Sequence, residues 1–204
     1  MSASAPPVPP TLSLNTTTAF LAGVAAVQFL AASRPDASRE AARSNAVGTA
    51  VCVIAFLHYA WMRHADAAER TRLRYGDWVV TCPLLLYELQ EMAGVPARAR
   101  GWPLAGVVAM VGVGYAAVRN AGAARHALFG LSSAVLAAVV HATLSAARAD
   151  ARRLVGAFFA LWAAYPVAFL VGNDAAYDVL DAVSKGVFGL YVAEGGAAPL
   201  PTPP

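Results

Sequence analysis

The sequence of 204 residues predicts an all-α membrane protein, a bundle of seven transmembrane helices. Three observations predict it. Only 13% of the residues are charged and 58% are apolar or aromatic, against about 25% charged in an ordinary soluble domain. The apolar residues gather into seven long runs bounded by Gly, Pro and charge. A spanning helix takes about 20 residues, so seven use roughly 140 and leave about 60 for loops and ends.

The chain opens on MSASAPPVPPTLSLNTTT, which has no basic stretch ahead of an apolar core. Its Pro, Ser and Thr content predicts a disordered leader over 1–15, and the first apolar run is then a retained helix, α1, near 16–33. Asn15-Thr16-Thr17 fits a glycosylation sequon but abuts the membrane, so it carries no weight. After the polar RPDASRE come α2 near 43–64 and α3 near 72–92. Next are α4 near 102–119 and α5 near 123–146. Past AARADARR lie α6 near 151–172 and α7 near 175–194. The tail GGAAPLPTPP, 195–204, is rich in Pro and Gly and is expected to be disordered. Short polar connections make consecutive helices antiparallel neighbours in one domain, 16–194.

Composition also removes some functions. The net charge of +3 and pI near 9.1 come from scattered basic residues without a basic stripe, so no nucleic-acid partner is expected. Cys52 and Cys82 both sit inside apolar runs, which suggests neither a disulfide framework nor a metal cluster. Basic residues in the loops set the orientation. With the N-terminus outside, the inner loops hold Arg34, Arg39, Arg43, Arg98, Arg100, Arg148, Arg152 and Arg153. The outer loops hold Arg63, Arg70, Arg72, Arg119 and Arg125. The excess inside favours an outer N-terminus and a cytoplasmic C-terminus.

A charge at the bilayer centre costs at least about 2.5–3.5 kcal/mol, so ionisable groups inside the runs are functional candidates. They are Arg74, Asp77 and Glu88 on α3, Asp181 and Lys185 on α7, and His58 on α2. Lys185 is the only lysine in the chain. In a dry environment its ε-amine becomes a nucleophile toward carbonyls and gives a Schiff base. Asp181 stands one helical turn before it, placed as a counterion.

Asp77 and Glu88 are eleven residues apart. That spacing returns them to within about 20° of one helix face and separates them by about 16 Å along the axis. A cationic Schiff base between them could give its proton to one carboxylate and be reprotonated from the other. Thr81 is one turn from Asp77 and can hydrogen-bond its carboxylate, while Arg74, one turn before it, can support the anion on the outer side. Glu88 has apolar neighbours in LLLYEL, surroundings that favour a carboxyl holding its proton in reserve.

These residues resemble the microbial rhodopsins. RYGDWVVTCPLLLYE, from Arg74 to Glu88, is similar to the family's R-Y-x-D-W-x-x-T-x-P-L-L-L pattern. The order of acceptor, threonine and donor is that of proton pumps. LDAVSKGVFG, from Leu180 to Gly189, is similar to the retinal-lysine motif. LWAAYPVAFL, from Leu161 to Leu170, resembles W-x-x-Y-P-x-x-W, with Phe169 in place of the last tryptophan. AFLHYAWMR, from Ala55 to Arg63, is similar to proteorhodopsins. The short loops also resemble those of the compact viral rhodopsins.

The resemblance implies all-trans retinal on Lys185 and a histidine, His58, paired with the acceptor Asp77. It also implies a tyrosine, Tyr59, bonded to Asp181. Retinal is then expected between Trp78, Cys82 and Leu85 of α3, Met110 and Gly114 of α4, Phe129 and Ser132 of α5, and Trp162, Tyr165 and Phe169 of α6. Leu85 is the residue that green-absorbing members carry. His64, His126 and His141 match nothing in the family's pattern. Asp174 and Asp178 lie near the outer end without reproducing the family's paired release glutamates.

The expected function is that of a light-driven outward proton pump rather than an enzyme, in contact with lipid and protons and assembled as a homo-oligomer, with a pentamer as the guess. A light-gated channel, a sensory photoreceptor and a retinal-free scaffold are the rival readings. Glu88 argues against the sensor, because sensory members usually lack a carboxylic donor there. Val107, where a channel has an acid partner for Cys82, weakens the channel. The Asp77/Thr81 pair departs from anion and sodium pumps. A second, carotenoid chromophore stays open.

Overall fold

The computed structural model describes residues 12–196, and all seven expected helices are in it. They are α1 Leu12–Ala32, α2 Arg39–Met62, α3 Ala67–Met92, α4 Gly101–Arg119, α5 Gly122–Ala146 and α6 Arg152–Val171. The last, α7, runs over 174–196. Each helix packs on the next, and α7 returns against α1 to close the bundle.

Several starts fall earlier than the apolar runs. α1 begins at Leu12, so residues 12–15, expected in the leader, are helical. The remainder of the leader, 1–11, and the tail from 197 on lie outside the described residues. α3 begins at Ala67 because Asp66 caps it, accepting from the Glu69 amide at 2.8 Å. Ser38 caps α2 in the same way through the Ala41 amide at 3.1 Å. A cap satisfies one of the free N–H groups of a helix start, so the helix extends through polar residues that hydropathy excludes.

Two helices depart from regular geometry where the sequence gives cause. α6 breaks at Ala163 into Arg152–Trp162 and Ala164–Val171, ahead of Pro166, whose ring nitrogen cannot bond the Trp162 carbonyl. It ends at Gly172 with φ 68°, a left-handed conformation that Gly adopts freely. α7 carries a π-helical turn over Ala182–Val187, which contains Lys185. Such turns occur frequently at functional sites.

Five helices are long and apolar enough to cross a membrane by composition alone: α1, α2, α4, α5 and α6. The two that are not, α3 and α7, carry the buried charges. Lipid-facing positions are large and apolar, with Phe29, Trp61, Leu170 and Val171 all more than half exposed. Inside, one apolar cluster joins Leu85, Leu86 and Leu89 of α3 to Phe158, Phe159 and Trp162 of α6 and Phe188 of α7. A second joins Leu21 and Val24 to Cys52, Ala55 and Tyr59 between α1 and α2. Polar side chains cross the bundle between these layers.

Candidate functional site

Lys185 is 1% exposed and its Nζ lies between two carboxylates, 2.5 Å from Asp77 Oδ2 and 3.1 Å from Asp181 Oδ2. The two acids are held differently. Asp181 accepts hydrogen bonds from Tyr59 Oη at 2.8 Å, Trp78 Nε1 at 3.0 Å and Tyr165 Oη at 2.7 Å. Asp77 has only the amine, and its Oδ1 is buried without a hydrogen-bond partner. Three fixed donors favour Asp181 as an anion, whereas Asp77 can take a proton and lose only its bond to Lys185.

Other expected partners of Asp77 stand elsewhere. Thr81 donates at 2.9 Å to the backbone carbonyl of Asp77 rather than to the carboxylate, the usual i−4 bond of a helical threonine. Arg74 turns outward, with Nη2 at 2.9 Å from Asp178 Oδ1 and Nη1 at 3.7 Å from Asp174 Oδ1. Its guanidinium also lies over the Tyr177 ring, 5.2 Å from the centroid. The reason is charge. A second anionic partner is available on α7, and Ser13 of α1 holds it through Asp178 Oδ2 at 3.0 Å.

His58 is half-buried, and its Nδ1 bonds the Ile54 carbonyl at 2.9 Å. Among the described residues no hydrogen bond joins His58 to Asp77. An imidazole one turn above a carbonyl finds a partner in its own helix, and its Nε2 lies beside Gly76, next to Asp77. His64, His126 and His141 are exposed, and among the described residues no group of potential ligands is spaced for a metal.

Glu88 is 2% exposed on the same face of α3, toward the other end of the bundle. It is not solely among apolar neighbours. Ser44 of α2 donates to its Oε1 at 2.9 Å, and Oε2 has no hydrogen-bond partner.

From Lys185 an apolar cavity of about 760 Å³, open space at its edge included, extends between α3, α4, α5 and α6. Trp78, Cys82, Leu85, Met110, Gly114, Phe129, Ser132, Trp162, Tyr165 and Phe169 all line it. Phe129 and Phe169 stack at 4.6 Å, and the Trp78 ring meets Tyr165 edge-on at 5.3 Å. At Gly114 a Cβ would sit 3.4 Å from Tyr75 and from Ser132, so the missing side chain leaves width. Sequence reasoning missed Tyr75, Tyr177 and Ser184, which also line the cavity. Ser184 bonds Tyr165 Oη at 2.9 Å. Its place beside Lys185, and that of Tyr177 one turn before Asp181, were signals that could have found them.

A long apolar cavity that ends on one buried amine between two acids, inside seven membrane helices, defines a retinal protein. Residues 11–196 match the family model for bacteriorhodopsin-like proteins, and the chain belongs to that family. It is similar to Sensory rhodopsin-2 of Natronomonas pharaonis, 30% identical over 177 residues covering 75% of this chain and 73% of that one. Sensory rhodopsin III of Haloarcula marismortui is 31% identical over 118 residues, 52% of this chain and 51% of the relative. The match thus spans about half the length of that relative. Among solved structures, the viral rhodopsin OLPVRII superposes with a TM-score of 0.81 at 24% identity, covering 89% of this chain and 94% of that one.

The family's cofactor is all-trans retinal, and the cavity fits it. The walls are apolar and aromatic, as a polyene requires, and the nucleophile stands at the end with the polar groups.

Proposed function

We propose that this protein is a light-driven outward proton pump. The observation that carries the reading is one buried amine in contact with a buried carboxylate of α3, with a second buried carboxyl three turns farther along the same face of that helix. Asp77 is 2.5 Å from Lys185 Nζ, and Glu88 lies eleven residues farther along. Retinal bound to Lys185 supplies the absorption of light and the change of shape that redirects the nitrogen's proton.

The residues of the chain do the rest. Lys185 holds a proton on Nζ in the dark, with Asp77 and Asp181 as its counterions. Asp77, the less restrained carboxylate, takes that proton. Asp181 stays charged under its three hydrogen bonds and keeps the amine's end of the site electrostatically fixed. Glu88 returns a proton to Nζ from the opposite side, and Ser44 serves both of its protonation states, because a hydroxyl can donate to a carboxylate or accept from a carboxyl. Arg74, clamped by Asp178, fixes positive charge on the acceptor side. The loop arginines support an outer N-terminus and a cytoplasmic C-terminus. Assembly as a pentamer and the acceptor-side role of His58 belong to the same reading.

A second reading, a sensory photoreceptor, is favoured by the names of both relatives above. Light-minus-dark infrared spectra separate the two. In a pump, Asp77→Asn removes a carboxyl C=O band that appears early, and Glu88→Gln removes a band that changes late. A spectrum without any carboxyl band assignable to Glu88 would contradict the donor role and leave the sensor reading.

A further inference from the structure

At the end of the bundle away from Asp174 there is a second cleft, polar and about 960 Å³ with its open mouth included. Arg43, Ser44 and Val47 of α2 face Glu88 and Glu91 of α3 across it, and Arg100 closes one side. Among the described residues, none from α6 or α7 lines it. The Glu91 carboxylate forms ion pairs with both Arg43 and Arg100, a clasp that ties α2 and the start of α4 to the end of α3. Glu88 lies at the closed end with its unpartnered Oε2, a buried acceptor of the kind that native proteins seldom leave unmatched.

We propose that this cleft is the aqueous route by which Glu88 is reloaded, already open in the dark and independent of any movement of α6. The proposal rests on Glu88 being the donor. A hydronium ion or protonated buffer enters at the mouth and gives its proton to the Glu88 carboxylate. Water or the buffer base leaves. Besides Glu88 the wall carries Arg43, Arg100 and Arg148 against Glu40 and Glu91, so it is net positive and favours the short-lived Glu88 anion until a proton reaches it. Because the walls are α2, α3 and loop residues, the kink of α6 plays no part in access.

The test uses the purified, retinal-loaded full chain with Val47→Cys, and Met92→Cys, also in the cleft wall, as a second variant should the first fail to fold. A charged, water-soluble thiosulfonate is added in darkness, and the adduct is counted by mass spectrometry. Cys52 is buried and Cys82 lines the retinal cavity, so the unsubstituted pigment sets the background. The expected result is labelling in the dark at a rate that illumination does not raise. The labelled pigment should keep its colour but recover its dark state about tenfold or more slowly, with azide restoring the rate, since an external weak acid replaces a blocked donor path. Labelling that requires light, or dark labelling that leaves recovery unchanged, would overturn the proposal. Failure of the pump reading shows separately, as the absence of proton release from the unsubstituted protein in light.

Discussion

Lys185 Nζ stands 2.5 Å from Asp77 Oδ2, closer than its 3.1 Å approach to Asp181 one turn away on its own helix. The nearer partner is the one on a different helix and the one with a free oxygen. A proton leaving the amine therefore meets first the carboxylate that is least tied to anything else.

Replacing the amine tests the cofactor site. Lys185→Ala, expressed in cells given all-trans retinal, should show no visible absorption band. A coloured variant would contradict the attachment. The apolar cavity would remain, so retinal bound without a covalent link should wash out.

Asp77→Asn removes the charge nearest the amine. The absorption maximum should shift to the red, because a positive nitrogen that loses an anion at 2.5 Å loses its best stabilisation in the dark state. Transport should stop. Undiminished acidification by this variant would move the acceptor elsewhere.

Glu88→Gln should leave the colour nearly unchanged, since Glu88 does not line the retinal cavity. Flash photolysis should show the dark state returning about a hundredfold more slowly, the usual scale for loss of a positioned proton donor. Added azide should restore the rate. An unchanged photocycle would remove Glu88 from the path.

Asp178→Asn isolates Arg74, which is 5% exposed and whose other anionic partner, Asp174, is more distant and exposed. Removing one member of a buried pair costs about 3–5 kcal/mol. The midpoint of thermal bleaching should fall accordingly, and Asp174→Asn should lower it far less. Equal effects would show that Arg74 does not depend on Asp178.

Much of this arrangement is legible in the sequence because membrane helices make charge conspicuous. Lys185, Asp77, Asp181 and Glu88 stand out as ionisable residues in apolar runs, and the 3.6-residue period puts them on shared faces. Of the ten residues expected around retinal, six lie in the motifs of α3 and α6 and four on α4 and α5, and all ten line the cavity. Partners across the bundle are different. The bond from Ser44 to Glu88 joins residues 44 apart in sequence, and the pair Arg74–Asp178 joins residues 104 apart. No periodicity encodes either. Spacing on one helix assigns Arg74 and Thr81 to Asp77, yet Arg74 pairs with Asp178 on α7, which spacing along α3 cannot reveal, and Thr81 bonds the Asp77 backbone carbonyl, a competitor that every helix offers. The same holds for His58, whose nearest acceptor is the carbonyl of its own helix.

Vectorial proton transfer is the central claim, and whole cells report it directly. Cells that express the protein with retinal are illuminated in unbuffered medium while a pH electrode follows the suspension. Acidification in light that disappears with a protonophore is the result expected of an outward pump. No change in light, or a change that tracks only an imposed gradient, would contradict it.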